Sequence, residues 1–298
     1  MENDRQRVEK ALVASVTTSD AYMTEIASHL ISAGGKRLRP VFTIIGSQVG
    51  NDKVATEEAI AGGVSCELVH LGSLYHDDVM DESDMRRGVE TVNARWGNLQ
   101  AILAGDFLLA KASEIAASLG TEVAALLART IGRLCEGQIE ELRHTYNVAR
   151  TVDSYLDSID GKTAALYSTA ARIGGLVAGH DRAVVDALTA YGTAYGMVFQ
   201  IVDDVLDLTA TDEELGKPAG NDMKEGVYTL PVLHTLAKGG TDADTLKSIL
   251  GKPLTVEERD TVLKIVRTNG GVEVAIEKAR AFVADAERAC DALPKGMT

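Results

Sequence analysis

From Val41 to Lys217 the chain contains no proline; its five prolines stand at positions 40, 218, 231, 253 and 294. Proline removes a backbone donor and clashes with the preceding helical turn, so a proline-free interval of this length leaves helices free to run. That interval is rich in Ala, Leu, Glu and Ile. Its apolar residues recur three and four apart, as in QAILAGDFLLAKASEIAASLG (Gln100 to Gly120) and EVAALLARTIGRLCEGQIEEL (Glu122 to Leu142). Alternating strand patterns with paired turn signals are missing. Glycine-bearing breaks near 34–35, 50, 120, 161, 180 and 216–226 predict helix ends. The expectation is an all-α protein whose helices of ordinary length pack as a single domain over residues 1–298.

At 298 residues and 45% hydrophobic, the chain is long enough to bury a substantial core. Its 44 acidic against 30 basic residues give a net charge of −14, which argues against nucleic acid or an anionic membrane as partner. Cys66, Cys135 and Cys290 form no Cys-x-x-Cys pair, so a zinc site or disulfide framework is not expected; all three are read as small core residues in a reducing cytoplasm. The start MENDRQRVEK has no signal-peptide character, and no apolar run has membrane-spanning length. A soluble cytoplasmic protein without stable membrane insertion is expected.

Against that background, LYHDDVMDESDMRRG (Leu74 to Gly88) concentrates acidic charge beside an apolar helical stretch. On a helix Asp77 and Asp81 share a face one turn apart, with Asp78 about 100° round, at the rim. FQIVDDVLDLT (Phe199 to Thr209) repeats the spacing with Asp203, Asp204 and Asp207. A single such run is ordinarily a solvated helix face. Two identically spaced copies, each following an apolar stretch, point instead to bound cations, because clustered carboxylates repel and lose solvation. Mg2+ fits, since it shares one or two carboxylates with substrate phosphates. Facing one another across a cavity, the copies would hold a diphosphate.

Basic groups stand near these motifs. AGGKRLRP supplies Lys36, Arg37 and Arg39; Arg86 and Arg87 follow the first acidic motif on the same element; DGKT supplies Lys162 and Thr163; LGKPAGND supplies Lys217. Guanidinium forks suit phosphate oxygens. DGKT is not a phosphate-binding Walker loop, which would need glycine where Leu156 stands. Each base alone reads as a solvated surface charge. Together they suggest two anion sites, one reached through metal and one direct, the latter best served by Arg87, Lys36 and Arg39. His70 lies near the Asp77 face and His76 beside Asp77, each either a satisfied core histidine or a polar ligand contact.

In order, GGKRLRP, LVHLGSLYHDDVMDESDMRRG, WGNLQAILAGDFLL, GKT, FQIVDDVLDL and GKPAGNDMKEGVYTLP resemble the all-trans isoprenyl (polyprenyl) diphosphate synthases from about Gly34 to about Leu233. The resemblance implies the type I isoprenoid synthase fold, a helical bundle around a deep central cavity, as a homodimer. It implies about three Mg2+ ions held chiefly by Asp77, Asp81 and Asp203, with Asp78, Asp204 and Asp207 supporting. Arg86, Lys162 and Lys217 would contact the allylic diphosphate (dimethylallyl, geranyl, farnesyl or geranylgeranyl). Lys36, Arg39, His70 and Arg87 would hold isopentenyl diphosphate, and Thr163 and Gln200 would stabilise positive charge at the reacting carbons. Catalysis would proceed by ionisation, condensation and elimination.

The chain departs from the pattern at Val227, where relatives commonly carry lysine, with Lys224 one turn earlier; its segment before Gly34 is short, and ACDALPKGMT stands where relatives usually continue into another helix. Residues preceding Asp77 are expected to line the product pocket. Ser73 and Gly72 make a small first layer, with Val69 and Cys66 deeper, which predicts a medium- or long-chain product. A floor supplied by another helix, for example at Phe107, would predict geranylgeranyl diphosphate. A class I terpene cyclase would lack the second Asp motif and the second anion site. A non-catalytic subunit would have lost an acidic motif.

Overall fold

The computed structural model describes residues 2–50, 54–210 and 219–294. Its elements run α1 (Glu2–Val16), α2 (Ala21–Ser32), α3 (Leu38–Gln48), α4 (Glu57–Met80), β1 (Met85–Arg86), β2 (Val89–Glu90), α5 (Val92–Trp96), α6 (Asn98–Ser118), α7 (Thr121–Arg143) and α8 (Val152–Ile159). After a π-helical turn at Asp160–Ala164 follow α9 (Ala165–Val177), α10 (Arg182–Thr209), α11 (Asn221–Lys224), α12 (Leu230–Lys238), α13 (Gly240–Ile249), α14 (Val256–Thr268) and α15 (Gly271–Cys290). The two long apolar-periodic stretches are α6 and α7, as their spacing predicts. Helix starts carry local chemistry: the Asp20 carboxylate accepts two N–H groups of α2, and threonines 56, 91 and 151 cap α4, α5 and α8. Thr255 and Glu258 form a reciprocal capping box on α14.

These elements form two compact units. The first comprises Met1–Ile131, Leu166–Gly192 and Ala289–Thr298, and the second Gly132–Ala165 and Thr193–Arg288. In the first, α4 is buried around most of its circumference, through Ile60, Val64, Leu68, Leu71 and Tyr75, and packs against α1, α3 and α6. Each such fully buried side chain contributes about 1.5–3 kcal/mol. The Tyr75 hydroxyl donates to Ile26 O at 2.8 Å, tying α4 to α2. Gly72 lets α4 approach α6: a Cβ there would stand 3.1 Å from Gly105 O and 3.2 Å from Leu109 Cγ. In the second unit, Tyr155, Ile201, Met223, Tyr228, Val232, Leu246 and Val262 form one core.

The structure corrects three expectations. Gly161 does not end a helix, since α8 continues through the π turn, where Ala165 N–H reaches back to Asp160 O. Arg86 and Arg87 do not share the helix of the first acidic motif. They sit on the antiparallel hairpin of β1 and β2, whose turn places Arg87 and Gly88 at φ 54° and 78°, the left-handed geometry of tight hairpins. Of the cysteines, Cys66 is core, whereas Cys135 and Cys290 are exposed. Among the described residues no helix is long and apolar enough to cross a membrane.

Candidate active site

Both acidic motifs fall in the last turns of their helices, α4 and α10, and neither last turn carries a basic residue. A helix C-terminus bears partial negative charge, so carboxylates there oppose helix stability unless cations answer them. Within each Asp-Asp pair the two members part company. Asp77 is half-buried and Asp203 exposed, with Asp81 exposed at the C-cap of α4. Asp78 and Asp204 turn inward, 1% and 3% exposed.

Asp78 is therefore not at the rim as its spacing predicts. Its Oδ1 accepts from Arg86 Nε at 2.5 Å, and burial raises its pKa against the pull of that guanidinium. Asp204 accepts from Tyr155 Oη at 2.5 Å and from Gln200 Nε2 at 2.8 Å. Burial pushes it up to about 7, helped by the charges of Asp203 and Glu141 and opposed by the two donors. Asp207 is also buried, with Oδ2 receiving the Asp222 N–H at 3.3 Å. The second carboxylate of each pair thus holds protein groups in place, whereas Asp77, Asp81 and Asp203 are half-buried or exposed.

Among the described residues no three His, Cys, Asp or Glu side chains gather as a complete metal cage. The carboxylate oxygens of each motif, taken by itself, are of the hard kind that Mg2+ takes, an ion that keeps sites for water and phosphate.

The first unit also assembles a cationic cluster. Arg87 donates to Leu30 O at 3.2 Å and to Gly34 O, and its guanidinium lies where a Cβ on Gly35 would be 3.0 Å away. Arg39 stacks over the Tyr167 ring at 4.6 Å, and its buried Nε has no hydrogen-bond partner. Burial holds His70 well below its usual pKa, reinforced by Arg39, Arg87, Arg86 and Arg37. It therefore stays neutral, with one ring N–H to donate. Lys36 is exposed and lines a groove with Arg5, Val8, Arg37 and Ile44. Arg37 is structural: it is buried, binding Glu9 at 2.7 Å, Glu67 at 3.1 Å and Ile31 O at 2.8 Å.

In the second unit, the π turn presents Lys162 and Thr163. A single extra residue per turn re-aims side chains, which is why such turns recur at functional sites. It is gripped by glycine contacts: a Cβ on Gly137 would stand 2.5 Å from Lys162 N, and one on Gly196 2.4 Å from Ala164 Cα. Lys162 Nζ pairs with Glu141 Oε1 at 2.6 Å. Thr163 Oγ1 donates to Gln200 Oε1 at 2.8 Å. Lys217 lies outside the described residues. Sequence reasoning missed Tyr155, Glu141 and Glu67; each is a lone polar residue within an apolar or acidic helical pattern, and no spacing rule singles it out.

Val69 and Cys66 are fully buried, and His76 packs its ring against Ile102 O and Asp106 of α6 at 3.2 and 3.5 Å. Ser73 alone of the expected pocket layers is both small and partly open, its Oγ donating to His70 O. Gly72 is small for the sake of the α4–α6 contact.

Carboxylate oxygens suit a hard divalent cation and a guanidinium cluster suits an anion, the chemistry by which phosphorylated small molecules are bound. The polyprenyl synthetase family profile matches residues 20–267. The nonaprenyl diphosphate synthase of Mycobacterium tuberculosis is 39% identical over 97% of this chain and 86% of its own length. The heptaprenyl diphosphate synthase structure from Staphylococcus aureus superposes with a TM-score of 0.93 at 33% identity, covering 99% of this chain and 93% of that one. The Corynebacterium glutamicum geranylgeranyl pyrophosphate synthase, solved with calcium and isoprenyl diphosphate, gives 0.87 at 37% identity, covering 99% and 90%. The chain belongs to the polyprenyl synthetase family and is a prenyltransferase of that family's all-α type I isoprenoid fold.

Proposed function

We propose that the protein joins an allylic diphosphate to isopentenyl diphosphate repeatedly, giving a medium- or long-chain all-trans polyprenyl diphosphate. The observation that carries this reading is the retention of both acidic motifs, each with its first Asp turned outward and its second anchored inside. Residues 1–298 act as one catalytic domain in the cytoplasm, in keeping with a family match that draws on both compact units.

Asp77, Asp81 and Asp203 are the residues that would hold Mg2+, about three ions, with the buried Asp78, Asp204 and Asp207 behind them. When bound, the metal neutralises charge growing on the departing diphosphate. Arg86, Lys162 and Lys217 are assigned to the allylic diphosphate. Arg39, Arg87, the neutral N–H of His70 and the flexible Lys36 orient isopentenyl diphosphate so that its double bond meets the allylic carbon. The allylic C–O bond breaks, a C–C bond forms, and a proton is lost. Thr163 and Gln200 keep unshared oxygen lone pairs to stabilise the passing positive charge. Apolar surroundings exclude water, which would trap the cation.

The test is mass analysis of products from farnesyl and isopentenyl diphosphates with Mg2+. Products beyond twenty carbons are expected. A stop at twenty would assign the geranylgeranyl reaction instead, the activity named for the Corynebacterium relative. Diphosphate release without isopentenyl diphosphate would identify a cyclase, and no release in either mixture a non-catalytic subunit.

A homodimer is part of the same reading. Leu99, Ile102 and Leu103 of α6 are 74%, 41% and 64% exposed, an apolar face that water disfavours. Light scattering should give a dimer for the native chain and a monomer for Leu103→Asp. A monomeric native protein would remove the proposal.

A further inference from the structure

One continuous hydrogen-bonded chain runs through the second unit. Thr163 Oγ1 donates to Gln200 Oε1 at 2.8 Å, Gln200 Nε2 donates to Asp204 Oδ1 at 2.8 Å, and Tyr155 Oη donates to Asp204 Oδ2 at 2.5 Å. The order of donors and acceptors is dictated by chemistry. When ionised, the Asp204 carboxylate can only accept, and so it fixes which end of the Gln200 amide faces it. The amide oxygen is thereby turned toward Thr163. Without a second donor, Asp204 could rotate about its side-chain bonds and release the amide.

Tyr155 supplies that donor and is itself immobilised. It is 1% exposed, it belongs to the apolar core of the unit, and the guanidinium of Arg150 lies 5.7 Å from its ring centroid. Arg150 is 5% exposed and leaves Nε and Nη2 without hydrogen-bond partners, so its charge is directed to the ring and the nearby carboxylates rather than to any one acceptor. A residue needed only to fill the core would not require a hydroxyl at this place, because a phenyl ring buries as well.

We propose that Tyr155 is a positioning residue for the prenyl transfer, acting through Asp204 to lock the side-chain amide of Gln200 and, through it, the Thr163 hydroxyl. The kinetic part of this inference rests on the proposed function; the structural part does not. Tyr155→Phe keeps the ring and removes only the donor. Losing a hydrogen bond to a charged group corresponds to roughly a tenfold or greater effect.

Two measurements test it. In protein labelled with 15N at glutamine, the Gln200 side-chain amide hydrogens, assigned by their loss in Gln200→Ala, should exchange with solvent about tenfold faster in Tyr155→Phe than in the native chain. In turnover, Tyr155→Phe should lower kcat about tenfold while leaving KM for isopentenyl diphosphate unchanged, and it should have no further effect in a Gln200→Ala background. Unchanged amide exchange overturns the proposal whether or not the enzyme turns over, and so separates its failure from failure of the proposed function. Additive kinetic losses in the double variant overturn it as well, since they would mean that Tyr155 acts by packing alone. Should Tyr155→Phe fail to fold, Asp204→Asn breaks the same chain and is read by the same exchange: faster exchange supports the proposal, and unchanged exchange overturns it.

Discussion

Asp77→Ala and Asp203→Ala should each lower prenyl transfer by on the order of a thousandfold or more, with helix content unchanged and melting temperature little changed. The combination is what makes the result informative. Asp77 is half-buried and Asp203 exposed, so truncating either side chain removes little packing. Asp204→Ala should behave differently. It strips the partner from the buried Tyr155 hydroxyl, which costs about 1–3 kcal/mol when left unsatisfied, and from the half-buried Gln200 amide, which water can partly satisfy. Activity lost without stability marks the outward aspartates; activity and stability lost together mark the inward one. Turnover assays beside thermal melts check both, and near-normal rates in either outward variant would break the ligand assignment.

The same contrast shows what the sequence could and could not disclose. The helices of the proline-free interval were legible because apolar periodicity over twenty residues has one economical reading, and α6 and α7 follow it closely. The acidic motifs were legible because repeated like charge is costly and so demands a cause. The division of labour within each Asp-Asp pair was not legible, since adjacent residues on a helix are separated only by rotation, and which one faces inward depends on packing partners far along the chain. Tyr155 is 49 residues from Asp204. Gly161 misled because glycine signals both a break and a close approach, and only the neighbouring backbone of Gly137 tells which. Gly72 misled in the same way: it reads as an open pocket layer and is a helix contact. Arg86 and Arg87 were expected on the element of the acidic motif, but a hairpin of two-residue strands carries too little pattern to be read from spacing; Arg86 still reaches Asp78, whereas Arg87 turns to Leu30 O and Gly34 O.

The second large effect concerns that π turn. Gly192 and Gly196 lie one turn apart on α10, and each is pressed against backbone: a Cβ at 192 would come within 2.7 Å of Tyr167 O, and one at 196 within 2.4 Å of Ala164 Cα. Either alanine forces the facing segment to move, at a packing cost of about 1–3 kcal/mol. The two differ in what moves. Gly192 faces α9, which carries no candidate catalytic group, whereas Gly196 faces the turn that aims Lys162 and Thr163. A displacement near 1 Å at a reacting group costs about a hundredfold in rate. Gly196→Ala should therefore lower kcat about a hundredfold, and Gly192→Ala far less, at matched losses of melting temperature. Equal kinetic losses in the two variants would show that general destabilisation, and not the aim of the π turn, governs the rate.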